Sequence, residues 1–268
     1  MSTQAPRSEA AARGLFDLTG KVALITGSTR GIGLGIAKQF AAHGARVVVS
    51  SRKPDACEAA RGAIVEAGGE AIAVPCNIGQ KDQLHALVER TLAEWGQIDV
   101  LVCNAAVNPY FGPMSGISDE AFDKILGSNV RSNLWLCNMV LPQMAKSGGG
   151  SVILLSSIAG LKGTKLLGAY GISKAADSQL ARNLAVEWGP KNVRANCIAP
   201  GIIRTDFAKA LYENPKAYEM VLKTYPLGRL GEVEDVAGVA VMLASNAGAF
   251  ITGQTIVVDG GTTVGGFE

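Results

Sequence analysis

Seven short runs of β-branched and apolar residues punctuate the chain: Val22–Thr26, Arg46–Ser50, Ala71–Cys76, Val100–Cys103, Val152–Ser156, Arg194–Ala199 and Thr255–Val258. Between them lie longer stretches with helical periodicity, among them Gly33–Ala42, Asp82–Trp95, Asp119–Met144, Ala169–Trp188 and Val233–Leu243. The runs are apolar at successive positions rather than alternating, so both faces of each strand expect cover. Strands separated by a helix cannot close as hairpins and pair in parallel through crossovers. Gly44 follows the first helical stretch, where a left-handed residue ends a helix, and Gly189-Pro190 stops the fourth. The alternation predicts an α/β fold, a single-domain Rossmann-type doubly wound parallel sheet of about seven strands with helices on both faces.

The 268 residues hold one such sheet without a linker or repeat. The reading divides the chain into an N-terminal arm over 1–16, polar and alanine-rich, and one domain over 17–268. Thr205 to Pro226 interrupts the βα pattern, carries Pro215 and several aromatics, and reads as a lid over the carboxyl ends of the strands, where ligands of such sheets bind. The net charge of +2 and 6% aromatic content give no footprint for nucleic acid. No apolar run is long enough to span a bilayer, and the N-terminal arm lacks the apolar segment of a signal peptide. Five cysteines, with no CxxC pair, read as reduced thiols of a cytoplasmic protein. The two histidines, His43 and His85, form no ligand cluster, so no metal site is expected. Neither histidine accompanies a nucleophile elbow, which removes the serine-hydrolase reading.

The first strand runs directly into Thr26-Gly27-Ser28-Thr29-Arg30-Gly31-Ile32-Gly33 and then into a helix. Glycines here leave backbone N–H groups open above a helix N-terminus, which suits a phosphate. Taken alone, the turn fits either a phosphate or an ordinary tight turn. Tyr170 and Lys174 lie four apart on one helix face. A free tyrosine ionises near pH ~10, too high for a base at neutral pH, and a neighbouring ammonium favours the phenolate. Alone, the pair also fits an ordinary surface helix.

These motifs together resemble the short-chain dehydrogenases/reductases over about Leu18 to Gly261. Thr26-Gly27-x-x-x-Gly31-x-Gly33 is similar to that family's cofactor turn. Cys103-Asn104-Ala105-Ala106 resembles its Asn-Asn-Ala-Gly, with Cys103 and Ala106 as departures. Ser157 stands 13 residues before Tyr170-x-x-x-Lys174, and Asn196-Cys-Ile-Ala-Pro200-Gly201-x-x-x-Thr205 resembles the family's Pro-Gly segment. The resemblance implies Asn129, Ser157, Tyr170 and Lys174 as catalytic residues. Tyr170 would protonate a substrate carbonyl as hydride arrives from a nicotinamide, and Ser157 would hydrogen-bond the same oxygen. Asn129 would anchor a water that relays protons to Lys174. Ser156 should face the other side of the strand end.

For the cofactor, the resemblance implies contacts from Gly27, Ser28, Thr29, Arg30, Gly31, Ile32, Gly33, Asn77, Ile78, Asn104, Ala105, Ala106, Tyr170, Lys174, Pro200, Gly201, Ile203 and Thr205. The second strand ends Ser50-Ser51-Arg52-Lys53, without the carboxylate that would take the ribose hydroxyls of NAD. Ser51, Arg52 and Arg30 suit a 2′-phosphate instead, so NADP (NADPH) is expected; the alternative is a solvated charge pair on a loop. The expected substrate wall is Val107, Asn108, Tyr110, Leu161, Lys162, Leu167 and Phe207. Within the family the second-strand end and Arg204-Thr205-x-Phe207 most resemble NADP-dependent carbonyl reductases of the dehydrogenase/reductase member 4 type. A 3-oxoacyl-acyl-carrier-protein reductase is the alternative, and a non-catalytic NADP(H) sensor a remote one. The three-residue gap between Tyr170 and Lys174 speaks against enoyl reduction, for which the superfamily spaces the pair more widely. The family also implies a homotetramer and a small-molecule carbonyl or alcohol substrate. Leu136, Met139, Val140, Leu180, Leu184 and Trp188 offer apolar faces for either subunit contact or core, and the tail Gly265 to Glu268 could reach a neighbouring subunit.

Overall fold

Alternation within each strand builds two cores at once. In a computed structural model describing residues 14–208 and 212–265, with side chains for all of these but 207 and 215–217, Ala23 and Ile25 of β1 (Val22–Thr26) face one apolar cluster and Leu24 the opposite one. The same split recurs at Val47 and Val49 against Val48 in β2 (Arg46–Ser50), and at Val100 and Val102 against Leu101 and Cys103 in β4 (Val100–Cys103). In β5 (Gly150–Leu155) Ile153 and Leu155 oppose Val152 and Leu154. Every side chain of these runs except Arg46 is therefore buried, which is why they read as nearly continuous apolar stretches.

Helices α1 (Gly31–Ala42), α2 (Pro54–Glu66) and α8 (Val233–Ala244) cover one face with Ile36, Phe40, Ile64, Val236 and Val241. Helices α3 (Lys81–Trp95), α5 (Ser132–Lys146) and α6 (Gly168–Trp188) cover the other with Leu84, Leu87, Leu136, Val140 and Leu184. With β3 (Glu70–Ala73), β6 (Val193–Pro200) and β7 (Thr255–Val258) the strands form one sheet in the order β3-β2-β1-β4-β5-β6-β7, parallel throughout. The order reverses between β1 and β4, and a crevice opens there at the carboxyl ends. The predicted doubly wound sheet of seven strands is the fold observed.

Four local differences have physical reasons. Helix α2, absent from the sequence reading, buries only Cys57, Ala60 and Ile64, a stripe too narrow for a clear apolar period. The third strand ends at Ala73 rather than Cys76 because Pro75 has no N–H, although Val74 and Cys76 still donate to Val49 and Ser51 of the neighbouring strand. The expected single helix Asp119–Met144 is α4 (Asp119–Leu126) and α5, joined by a π turn at Gly127–Arg131. The lid stretch contains a short helix, α7 (Pro215–Leu222). The arm's residues 1–13 and the tail beyond Gly265 lie outside the described residues.

Candidate active site

The first two turns of the crevice are bound by one side chain. Asn104, just past β4, donates through Nδ2 to the carbonyls of Thr26 (2.9 Å) and Gly27 (3.0 Å), and its own N–H reaches Thr26 Oγ1 (3.1 Å). The Ala105 N–H joins the same hydroxyl. This lacing places the glycine turn directly over the β1–β4 boundary. Gly27 and Gly31 have φ of +67° and +53°, backbone that side chains avoid. A Cβ at Gly33 would overlap Asn104 Nδ2 and the Gly27 carbonyl. Gly33→Ala is therefore expected to cost about 1–3 kcal/mol through overpacking, read as a lower Tm in thermal unfolding. An unchanged Tm would show that the turn can spread.

A cleft of about 300 Å³ runs across this boundary. Gly27, Thr29, Arg30, Gly31, Ile32 and Gly33 line it, and α1 begins there at Arg30 with no side-chain cap. The open N–H groups of that helix end, with its positive dipole, suit an anion. At the far end of the turn lie Ser51 and Arg52, then Asn77 and Ile78. Neither Arg30 nor Arg52 pairs with a carboxylate among the described residues. Asn104, Ala105, Ala106, Pro200 and Thr205 also line the cleft. Three expected contacts fall outside it. Ser28 is buried in the β1–β2 seam, donating to the Ile25 carbonyl and accepting from the Ser50 N–H. Gly201 extends β6, donating to the Val258 carbonyl, and Ile203 is buried opposite Gly231.

Tyr170 and Lys174 line the other end of the cleft, on consecutive turns of α6, with Lys174 Nζ 5.7 Å from the Tyr170 ring centre. Lys174 is almost wholly buried; Nζ donates to the Leu155 carbonyl (2.6 Å) and to Asp177 Oδ2 (3.0 Å). Burial pushes this ammonium down, but the Asp177 charge, Tyr170 and the Asp177 hydrogen bond more than offset it, so it titrates above the ordinary lysine value. Burial raises Asp177 more than Lys174 and Asn133 lower it.

The π turn carries Asn129 inward. Its side chain is committed to protein groups: Oδ1 accepts from the Val107 N–H, while Nδ2 donates to the Val107 carbonyl and to Ser173 Oγ. The Asn129 carbonyl accepts from Asn133 Nδ2. These bonds make the side chain a brace that fixes the Val107 backbone. Ser157 caps the turn Ile158–Gly160, its Oγ accepting from the Ala159 N–H (3.1 Å), which leaves its hydroxyl proton to donate. Ser156 is buried and bonded to the Lys174 carbonyl (2.7 Å), and it also lines the cleft.

Of the expected substrate wall, Val107 lines the cleft; Asn108, Tyr110, Leu161, Lys162 and Leu167 do not. They belong to the loops after β4 and β5, which meet through Gly112 and Leu166–Leu167 and leave Phe111 and Leu161 exposed. The Phe207 side chain lies outside the described residues. Arg204, just before the stretch expected to form a lid, is ion-paired to Glu232 (3.1 Å), bonded to Tyr218 Oη (2.6 Å) and faces the rings of Tyr212 and Tyr218. Sequence reasoning missed Cys76, Lys124, Ser128, Leu155 and Asp206 in the cleft wall, and Asn133, Ser173 and Asp177 behind it. The last three stand four, three and three residues after Asn129, Tyr170 and Lys174, a helical spacing that was the available signal. Among the described residues no group of acidic, histidine or cysteine side chains could hold a metal, and no helix is long and apolar enough to cross a membrane.

Comparison with known proteins extends this geometry. A family model described as enoyl-(acyl carrier protein) reductase matches residues 27–263. Dehydrogenase/reductase SDR family member 4 of Bos taurus is 42% identical over 245 residues, covering 91% of this chain and 88% of its own length. Among solved structures, a short-chain type dehydrogenase/reductase from Mycobacterium ulcerans superposes with a TM-score of 0.90 at 34% identity, covering 92% of this chain and 91% of that one. A 7 alpha-hydroxysteroid dehydrogenase complexed with NADH and 7-oxo glycochenodeoxycholic acid gives 0.88 at 38% identity, covering 92% and 95%.

Proposed function

The chain belongs to the short-chain dehydrogenase/reductase family of oxidoreductases, and on that premise we propose that it is an NADP(H)-dependent enzyme that reduces a ketone or aldehyde carbonyl, or oxidises the corresponding alcohol. One observation carries the reading: a single cleft joins a phosphate-ready turn, with two guanidiniums that have no carboxylate partner among the described residues, to Tyr170 beside the Lys174 ammonium.

NADPH, when bound, would supply the hydride. The glycine turn and the α1 N-terminus would hold the pyrophosphate, and Arg30, Ser51 and Arg52 the 2′-phosphate. Asn77 and Ile78 would flank the adenine, Lys174 would hold the nicotinamide ribose and Thr205 the carboxamide. Tyr170 donates its proton to the substrate oxygen as negative charge develops there, and Ser157 donates a hydrogen bond to the same atom. Lys174 keeps a positive charge beside Tyr170, which favours the phenolate left behind. Asn129 steadies Val107 on the opposite wall. The neighbour named with NADH binds the other nicotinamide form, so the preference here rests on the Ser51-Arg52 end of the cleft.

The description of the family model also names an acyl carrier protein, and exposed Lys162 and Lys165 on the loop after β5 would suit a 3-oxoacyl carrier. The deciding assay follows nicotinamide absorbance with NADPH and with NADH over ketones, diketones, quinones and acyl thioesters. Faster consumption of NADPH with a carbonyl substrate is expected. Turnover of acyl thioesters alone would favour the carrier-protein reading, and tight NADPH binding with no turnover would favour a sensor.

Five free, buried thiols support a reducing compartment such as the cytoplasm. A homotetramer is supported by apolar residues left exposed on α5, α6 and before β7: Leu134, Ile172, Val186 and Phe250. Of the six candidate contact residues, Leu136, Val140 and Leu184 are core instead.

A further inference from the structure

Behind the cleft lies a polar chain sealed from solvent. Asp177 sits one turn beyond Lys174 on α6, with no exposed surface. Its Oδ2 accepts from Lys174 Nζ (3.0 Å) and its Oδ1 from Asn133 Nδ2 (2.9 Å). Asn133 is one turn beyond Asn129 and donates also to the Asn129 carbonyl (2.7 Å). The bonds thus run Lys174–Asp177–Asn133–Asn129–Ser173, returning to α6 at Ser173, whose Oγ donates to the Tyr170 carbonyl (2.7 Å). A buried ammonium loses its hydration and is driven towards the neutral amine unless an anion faces it. The Leu155 carbonyl fills a second donor position of Lys174 but carries no net charge.

We propose that Asp177 is a positioning residue for the reaction: it is the counter-ion that keeps Lys174 charged and fixed between β5 and α6, held in turn by Asn133. This deepens the functional reading above and rests on Lys174 being the charge beside Tyr170. The other titratable groups that interact with the pair are few. From α6 there is Tyr170; from β4 Cys103, paired with Cys137 of α5; and from β6 Cys197, towards which Arg182 also acts. The thiols offer no competing anion. Burial pushes Cys197 up to about 12, with the Asp177 charge adding to it, and Cys103 is raised well above the ordinary thiol by Cys137 and burial. Asp177 is then the one carboxylate facing this ammonium among the described residues.

The test follows the Lys174 amine directly, by NMR against pH on the whole protein with isotope-labelled lysine, its resonance assigned by loss in Lys174→Met. The wild-type amine is expected to titrate above an ordinary lysine. Asp177→Asn, equal in size but neutral, leaves burial unopposed and should bring the titration below the ordinary value, a fall of about one pH unit or more. Asp177→Glu, keeping the charge, should hold it above. The alkaline limb of NADPH consumption should move down with the amine in Asp177→Asn, whereas a merely structural residue would lower the rate without moving the limb. If Asp177→Asn does not fold, Asp177→Ser carries the same expectation. An amine that still titrates above ordinary lysine in a folded neutral variant would overturn the proposal. Its failure is separable from that of the functional reading, because the amine titration needs no turnover, whereas activity surviving in Tyr170→Phe would remove the reading and leave the charge pairing to be judged alone.

Discussion

Tyr170→Phe should lose turnover by about 10²–10⁴-fold while binding NADPH almost as tightly as the parent chain. The size follows from the removal of one positioned general acid. The substitution deletes a single oxygen at the cleft wall and leaves Lys174 with its two partners, the Leu155 carbonyl and Asp177. The ring stays, so the packing of α6 against β5 stays with it. Steady-state rates with the carbonyl found most reactive, set beside fluorescence titration of NADPH, separate the two effects. Equal losses in rate and binding would mean that the helix had shifted. Retained activity would move the acid elsewhere, with Ser157 the next hydroxyl to examine.

Arg30→Ala and Arg52→Ala together are expected to lower kcat/KM for NADPH by about a hundredfold or more while changing NADH little. A charge-assisted hydrogen bond to a phosphate discriminates by about ten- to hundredfold, and two guanidiniums lining one end of the cleft can both reach one phosphate. Both arginines are exposed in the free chain, so solvent screens them and the lower end of that range is the expectation for each alone. The measurement is the ratio of specificity constants for the two cofactors in parent and variant. A parent that prefers NADH, or a variant that loses both equally, would reduce these arginines to surface charge.

What could be read beforehand divides along a physical line. Strands such as Val100–Cys103 were legible because burial on both faces leaves four apolar residues in a row. Helix α2 was not, since three buried side chains in thirteen residues make a faint stripe. The π turn was missed although Gly127, Ser128 and Asn129 are weak helix formers, because helical stretches continue on both sides; the extra residue shows only in the hydrogen-bond pattern. In the cleft, the glycine turn and the Tyr170–Lys174 pair announced themselves by local spacing. Asn133 and Asp177 did not, because their meaning lies in facing each other across two helices 44 residues apart in sequence. The loops after β4 and β5, where substrate contacts were expected, were the least legible, since they are set by their meeting at Gly112 and Leu166–Leu167 rather than by any periodicity.

The lacing of Thr26 to Asn104 also bears on how the molecule comes into being. β1 can find β2, and β2 can find β3, within a short span of chain, but the other edge of β1 must wait for β4, and the bonds that seal that edge join residues 78 apart. Closure over such a span is slow relative to local pairing. The glycine turn therefore acquires its shape late, when the two halves of the sheet meet. Amides around the seam should exchange with solvent only through openings that part β1 from β4, which makes the seam a reporter of whether the two halves are joined.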